Sequence, residues 1–372
     1  MIKRVLEDII IQKISKGKAI VLIGARQVGK TTLINSILKN TEHLFLDGDD
    51  PTIRNLLTEP NTEQLKSIIG NSKTVFVDEA QRIKNVGITL KLITDQFKNV
   101  QLLVSGSSAF ELNNQINEPL TGRKWEYNLF PISWEELEND IGFVKAEQQL
   151  ELRILYGMYP DVINNPGEEV EILKQLTNSY LYKDILAFGG IRKPEVLEKL
   201  VKALALQIGS EVSYNELAQL IGVDKNTISN YIDLLTKGYI VYKLPSFSRN
   251  LRNEIKTNQK IYFYDTGIRN MVIGNFNPLD SNNDKGALWE NFLITERLKM
   301  NTYHLSLANS YFWRTKQQQE VDYVEEIAGK IKGYEFKWNT KAKVKIPKSF
   351  METYNAEVDV INRDNFRTFI KP

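Results

Sequence analysis

The sequence predicts an α/β protein. A parallel sheet between helices fills the first third, followed by a helical lid, a winged helix-turn-helix and a C-terminal α/β module. Three stretches predict it. A short apolar run, AIVLIGA, leads directly into a glycine-bearing loop and a helix-patterned segment. Residues 213–244 carry two short helical patterns around a tight turn. Further on, an amphipathic pattern precedes the strand-like runs EVDYVEEI and KIKGYEFKW. Together they divide the chain into residues 1–135, 136–205, 206–280 and 285–372.

Composition narrows the class. The 372 residues suffice for two or three domains with their own cores. Hydrophobic (42%) and charged (25%) fractions are ordinary for a globular protein, and no apolar run approaches bilayer-spanning length. The start, MIKRVLEDIIIQKISKGK, has acids among its apolar positions and no small-residue cleavage site, so a cytoplasmic chain without a signal peptide is expected. With no cysteine, disulfides and thiol-ligated zinc are excluded. His43 and His304 are the only histidines, which also excludes a multi-histidine metal centre. Net charge is +2, so a nucleic-acid surface has to be a local patch.

The first element of chemistry spans residues 19–38, AIVLIGARQVGKTTLINSIL. Gly24-Ala25-Arg26-Gln27-Val28-Gly29-Lys30-Thr31 is a GxxxxGK[ST] phosphate loop in its required strand–loop–helix context, with Thr32 in the first turn of the helix. Glycines let backbone N–H groups wrap phosphates, and the helix N-terminus adds a favourable dipole. Lys30 is expected on the β- and γ-phosphates, and the Thr31 hydroxyl on Mg²⁺. Residues 74–80, TVFVDEA, read as a buried strand ending in two acids. Asp78 would coordinate Mg²⁺ and Glu79 would orient or deprotonate the attacking water. Another strand, HLFLDGD, lies between the two motifs, as in ATPases with an additional central strand. The next strand, QLLVSGSSAFEL, ends in hydroxyls at 105, 107 and 108. Ser105 or Ser107 is the candidate γ-phosphate sensor, with a plain turn and helix cap as the alternative. Arg123 is a candidate arginine finger, in cis or toward a neighbouring subunit; the alternative is a surface arginine at a strand start. Arg26 is open in the same way.

Residues 136–205 are patterned as helices, in LRILYGMYPDVI, VEILKQLTNSYLYKDIL and PEVLEKLVKALALQI, broken at Gly157, Pro160 and Gly189-Gly190. Core packing is their expected role. In 213–244, Ser213 caps one helix, Ile221-Gly222-Val223 makes the turn, and Asp224 caps a second helix with Ile228, Ile232 and Leu235 inward. Lys225, Asn226, Ser229 and Asn230 face outward where a helix-turn-helix reads DNA. Tyr239–Leu244, the basic run SFSRNLRNEIKTNQK and KIYFYD would form the wing. DNA and partner proteins are both open as its ligand.

SNNDKG at 281–286 reads as a polar linker before the amphipathic helix ALWENFLITERLKM. Strands carrying Asp322 and Glu335-x-Lys337 follow, with a turn at Ala328-Gly329. Helix then strands in this order is found in restriction-endonuclease-like folds. There Asp322 and Glu335 would bind Mg²⁺, Lys337 would position or activate water, and Glu290 from the helix would join them. A hairpin with a cross-strand ion pair is the alternative.

The stretches GARQVGKTTL, VFVDEAQRI, LLVSGSSAFEL, GRKWEYNLFPIS, GMYPDVI, YLYKDIL, KIYFYDTGIRN, WENF, WRTKQQQEVDY and YEFKW span most of the chain. With them the chain resembles a family of archaeal and bacterial ATPases of the AAA superfamily. Its members join a P-loop core to a winged helix and a C-terminal domain of uncharacterised function related to restriction endonucleases. The resemblance implies ATP binding and hydrolysis with Mg²⁺ in a prokaryotic cytoplasm. It carries ATP-site roles to Lys30, Thr31, Asp78 and Glu79, and Asp322, Glu335 and Lys337 match in type and order. Two functions follow as expectations. One is an ATPase acting on or near DNA, its nucleotide state controlling the winged helix and nuclease-like module. The other is a nucleotide-dependent switch or scaffold for partner proteins, with an inactive C-terminal domain. A homo-oligomer is required only if Arg123 acts in trans, and nothing points to a membrane.

Overall fold

A computed structural model describes residues 1–107, 116, 118–179, 193–248 and 259–372. Ser108, YLYKDIL, Gly189-Gly190 and most of the basic run after residue 248 lie outside the described residues. The chain forms two compact units, Met1–Ile132 with Lys237–Tyr239, and Ser133–Thr236 with Ile240–Pro372.

The first unit is a parallel sheet of β1 (Ala19–Gly24), β2 (Leu44–Asp47), β3 (Thr74–Asp78), β4 (Gln101–Gly106) and β5 (Lys124–Leu129). The order is β2-β3-β4-β1-β5, every pair parallel. Helices on both faces leave no solvent side, so β1 and β3 are buried at every residue and read as continuous apolar runs rather than alternating ones. The helices are α1 (Val5–Ile11), α2 (Lys30–Ile37), α3 (Pro51–Leu57), α4 (Thr62–Ile69) and α5 (Val86–Gln96). Two close approaches demand glycine. A Cβ on Gly24 would lie 2.1 Å from the Leu129 carbonyl oxygen, and one on Gly48 would lie 2.5 Å from that of Glu79. Tyr239 also belongs to this unit: its hydroxyl reaches Asn128 Oδ1 and its ring meets Phe130 edge-on at 6.1 Å.

The second unit opens with α6 (Trp134–Ile141), α7 (Phe143–Tyr156), α8 (Pro160–Asn164), α9 (Glu169–Leu176) and α10 (Pro194–Leu206). Then come β6 (Glu211–Val212), α11 (Tyr214–Ile221), α12 (Lys225–Lys237, its last residue in the first unit), β7 (Val241–Pro245), β8 (Gln259–Phe263) and α13 (Thr266–Ile273). The three strands form an antiparallel sheet, β6-β8-β7. Ser213 accepts from Glu216 N, Asp224 accepts from Thr227 N, Gly222 takes the left-handed conformation between the helices, and Ile228, Ile232 and Leu235 are buried. α14 (Lys285–Tyr303) precedes β9 (Asn309–Arg314), β10 (Glu320–Ile327) and β11 (Lys330–Phe336). α15 (Lys348–Tyr354), β12 (Glu357–Ile361) and α16 (Arg367–Ile370) complete the chain. The sheet runs β12-β11-β10-β9; β12 is parallel to β11 and the other pairs are antiparallel.

Two sequence expectations change here. α14 is enclosed on nearly every side rather than amphipathic, with Glu296 and Lys299 buried beside Trp289 and Phe292. Its polar residues pair internally: Lys299 Nζ lies 2.6 Å from Glu296, whose other oxygen accepts from Trp134 N at 2.6 Å. The supposed linker at 281–286 is packed structure: Asn282 is buried, and Asp284 accepts from the buried Arg269 at 2.7 Å.

Asp265 is the pin of the helical part. It caps α13 through Ile268 N and holds the loop before α8 through Met158 N at 2.7 Å. Gly157, at φ +77°, lies so close that a Cβ would approach the Asp265 carboxylate to 2.0 Å. Burial pushes the Asp265 carboxyl above its usual range. Asp265→Ala removes the cap and orphans a buried N–H, at a cost of about 2–4 kcal/mol. Urea unfolding followed by tryptophan fluorescence measures this, and a loss below about 0.5 kcal/mol would contradict the role assigned to Asp265.

Candidate functional site

In the first unit, the carboxyl ends of β1, β3 and β4 meet at one edge of the sheet, where open α/β sheets bind ligands. β1 delivers the phosphate loop. Gln27 (φ +61°) and Gly29 (φ +95°) both turn left-handed, curling the chain into α2. Lys30 is buried, and its ammonium donates to the carbonyls of Gly24 (3.2 Å) and Ala25 (2.8 Å) of its own loop. Burial pulls its pKa down to about 8, opposed by the negative charges of Glu79 and Asp78. Thr31 Oγ1 donates to Asp78 Oδ2 at 2.7 Å, and the buried Ser105 hydroxyl donates to Asp78 Oδ1. A hydroxyl and a carboxylate at this separation suit a hard divalent cation, and the curled loop with its buried ammonium suits a phosphate chain.

Glu79 follows Asp78 in a left-handed conformation (φ +46°, ψ +41°), a strained state for a non-glycine residue and one typical of functional positions. Its Oε2 accepts from Gln81 Nε2 at 2.5 Å and from Ser107 Oγ at 3.2 Å. The two serines therefore differ. Ser105 holds the cation-type carboxylate, whereas Ser107 holds the candidate base.

Of the remaining ATP-site residues, Ala25 and Val28 are buried, Arg26 is half-buried and Thr32 is exposed. Arg123 lies elsewhere. It immediately precedes β5, at the amino end of the sheet, and pairs with Asp95 at 2.7 Å. Ala19 pairs with Lys124 and Gly24 with Leu129, so the length of β1, roughly 17 Å, separates it from the phosphate loop. It is not a finger for its own site; only the expectation of action on a neighbouring subunit remains.

Sequence reading missed Gln81 and Arg4. Arg4 is buried, donating to the Val28 carbonyl in the phosphate loop (2.8 Å) and to the Phe130 carbonyl (2.6 Å). A lone arginine before an amphipathic helix has no periodic signature. Gln81 lies within VFVDEAQRI, but only the fold brings it Ser107 from the end of β4.

In the second unit, Asp322 on β10, Glu335 on β11, Lys337 just after β11 and Glu290 on α14 form one electrostatic cluster. Lys337 Nζ lies 3.2 Å from Glu335 and 3.7 Å from Asp322, and Asp322 also accepts from Phe336 N at 2.8 Å. A register shift in the β9–β10 ladder falls at this residue, between Val321 and Val324. Nothing in the residue pattern points to Lys260 here. Only 1% of its side chain is exposed, and its ammonium from β8 sits 3.0 Å from Glu290 and 2.6 Å from Glu320. Tyr262 donates to the same Glu290 oxygen. Burial opposes the charge on Lys260, but Glu290, Glu320 and Asp322 outweigh it and hold its pKa high. Burial, with Asp322 adding to it, pushes Glu335 up to about 7. The sequence expected Asp322, Glu335 and Glu290 to share a metal. Lys337 stands beside Asp322 and Glu335, as the sequence leads one to expect, but Lys260 takes the place beside Glu290. Among the described residues no group of three or more acids or histidines is arranged to hold an ion.

Comparison with known proteins agrees with the first unit. Residues 16–138 match the family described as an AAA domain. Residues 147–279 and 285–368 match two domains of unknown function, DUF8612 and DUF4143. An uncharacterized protein of Mycobacterium tuberculosis is 28% identical over 327 residues, covering 87% of this chain and 70% of its own length. One from Methanocaldococcus jannaschii is 24% identical over 335 residues, covering 84% and 73%. Among solved structures, the Walker-type ATPase PABY2304 of Pyrococcus abyssi superposes with a TM-score of 0.52 at 16% identity, over 73% of this chain and 96% of that one. The chain thus holds an AAA-type, P-loop ATPase-like domain with a parallel sheet flanked by helices. No helix among the described residues is long and apolar enough to cross a membrane.

Glu335 makes the second unit pH-sensitive. Its folded pKa, about 7, exceeds the ordinary 4.5, so the folded state holds the proton more tightly. That contribution is complete below pH 4.5 and disappears as pH rises through about 7. Denaturant titrations at pH 4.5, 6 and 8 are expected to show a fall in stability over this window that is smaller in Glu335→Gln. Identical pH dependence in both proteins would contradict the cause given.

Proposed function

We propose that the chain is a cytoplasmic, Mg²⁺-dependent ATP-hydrolysing protein of AAA type that acts on or near DNA. Its nucleotide state would control the winged-helix and nuclease-like parts of residues 133–372. The observation that carries the ATPase reading is the joint holding of Asp78 by Thr31 and Ser105, beside the buried Lys30 and a strained Glu79. Gly24 to Thr32 would cradle the phosphates, and Lys30 would turn from its loop carbonyls to the β- and γ-oxygens. Thr31 and Asp78 would hold Mg²⁺, which supplies charge neutralisation at the phosphates when bound. Glu79 would orient the water and accept its proton, with Ser107 and Ser105 at the γ-phosphate end.

Several features support control of the other unit. The last residue of α12, Lys237, and the two that follow it belong to the first unit, so the chain passes from the helix-turn-helix region straight into the nucleotide-binding unit. Lys225, Asn226 and Asn230 are exposed at the start of α12, where a helix-turn-helix meets DNA. The order α14-β9-β10-β11-α15-β12, with β12 parallel to β11, supports a restriction-endonuclease-like fold. Arg123, remote from its own loop, would act in a homo-oligomer if it acts at all.

Lys260 favours a second reading for the C-terminal part. A tethered ammonium between Glu290 and Glu320 makes an inactive module that binds partners more consistent than a metal-dependent nuclease.

Lys30→Ala should reduce ATP turnover by at least about 100-fold, since it removes a charge aimed at the transferring phosphoryl group. Unchanged turnover in a malachite-green phosphate assay would end the ATPase reading. Labelled single- and double-stranded DNA with Mg²⁺ or Mn²⁺, with and without ATP, separates the two C-terminal readings. Intact DNA in every condition is expected if Lys260 keeps the cluster closed; cutting by wild type and not by Glu335→Ala would establish a nuclease.

A further inference from the structure

Gln81 has no role in the scheme above, yet its side chain is buried and every polar atom of its amide is engaged. It lies in the short 3₁₀ turn Ala80–Arg82 that follows β3. The left-handed backbone of Glu79 turns the chain directly from strand into that turn. Gln81 Nε2 then donates both to Glu79 Oε2 (2.5 Å) and to Ser107 Oγ (2.7 Å). Its Oε1 accepts from Ser107 N at 3.2 Å. Ser107 N–H needs an acceptor, which fixes the amide orientation: the NH₂ group must face the carboxylate.

This network does something to Glu79 that neither residue could do alone. Ser107 directly follows β4 and Glu79 directly follows β3, so the amide ties the candidate base to the end of the neighbouring strand. Both donors fall on Oε2. An ionised carboxylate only accepts, so a donor pair on one oxygen sets its plane and leaves the other oxygen for a water. An exposed glutamate after a strand would instead sample several rotamers, and a base displaced by about 1 Å loses on the order of 100-fold in rate.

We propose that Gln81 is a positioning residue for ATP hydrolysis: its buried amide, braced on Ser107, orients the Glu79 carboxylate toward the attacking water. The proposal rests on the ATPase reading. A nucleotide whose γ-phosphate draws the Ser107 hydroxyl leaves Glu79 held by Gln81 alone, so the amide carries the orientation during turnover.

The test compares wild type, Glu79→Gln, Gln81→Ala and Gln81→Glu with Mg²⁺ and ATP. It measures kcat and, separately, the affinity for a fluorescent ATP analogue. Both Gln81 variants are expected to lose about 10- to 100-fold in kcat while binding stays within about twofold of wild type. Gln81→Glu keeps shape and volume but replaces the donor with a second carboxylate against Glu79. It should therefore be at least as slow as Gln81→Ala. A Gln81→Glu enzyme with wild-type kcat would overturn the proposal, because a packing role survives that change. Loss of kcat and nucleotide affinity in parallel would also overturn it. A wild type that binds the analogue but hydrolyses no ATP, like Glu79→Gln, would refute the ATPase reading itself. That result is distinguishable, since turnover by wild type precedes any comparison of the Gln81 variants.

Discussion

The Asp78 carboxylate is the interaction on which the first unit turns. One oxygen takes the hydroxyl of Thr31 from the first turn of α2, and the other takes that of Ser105 from β4. Asp78 thereby joins the ends of three strands. A nearly buried carboxylate needs such donors, because an unpaired buried charge costs several kcal/mol. Everything that makes the edge useful is referred to this point. Lys30 follows the loop that Thr31 anchors, and Glu79 is forced left-handed by the sharp exit after Asp78. Gly48, whose N–H bonds the Asp78 carbonyl at 2.9 Å, must be bare because a Cβ there would meet the Glu79 carbonyl oxygen at 2.5 Å. The all-parallel order supplies the geometry, since only parallel neighbours bring loop ends to the same edge.

How much of this was legible in the sequence depended on whether a feature is local. The phosphate loop and the acidic pair after β3 are contiguous, and their chemistry follows from spacing alone. The sheet was readable for the same reason: runs such as AIVLIG and TVFVD can only be covered on both faces. Ser213, Gly222 and Asp224 announced their caps and turn because capping is settled within four residues. What spacing could not give was any partner brought by the fold. Arg4 reaches Val28 and Phe130 across long sequence separations. Lys260 lies 30 residues from Glu290 and looked like one more basic residue before a strand. For Arg123 residue type leaves finger and surface arginine equally open, since it says nothing about which end of a strand the residue occupies; its pairing with Asp95 at the amino end removes only the reading in which it serves its own site. The periodic pattern of α14 predicts an amphipathic helix because polar residues in such a pattern suggest solvent, whereas Glu296 and Lys299 satisfy each other inside.

The second unit carries several buried or half-buried charge pairs. Besides the Glu296–Lys299 pair, Arg269 joins Asp284, Lys260 joins Glu290 and Glu320, and Arg297 holds Glu325 through Nε and Nη2. Such pairs add little net stability over apolar packing, but each is costly to break from one side. They also reject alternatives: a helix sliding past its neighbour would strand several charges at once.

Tyr239 carries a consequence of another kind. The first unit is discontinuous in sequence, since its main body ends at Ile132 while the ring that covers Phe130 arrives with residues 237–239. During synthesis the nucleotide-binding sheet can form long before it is finished. Until more than a hundred further residues have emerged, Phe130 and Asn128 wait without their cover. A polypeptide cut at Ile132 would keep every residue of the phosphate site and still present an uncapped apolar face, prone to self-association. Completion of the first unit is thus postponed until α11 and α12 have left the ribosome, which builds the two in a fixed order of dependence.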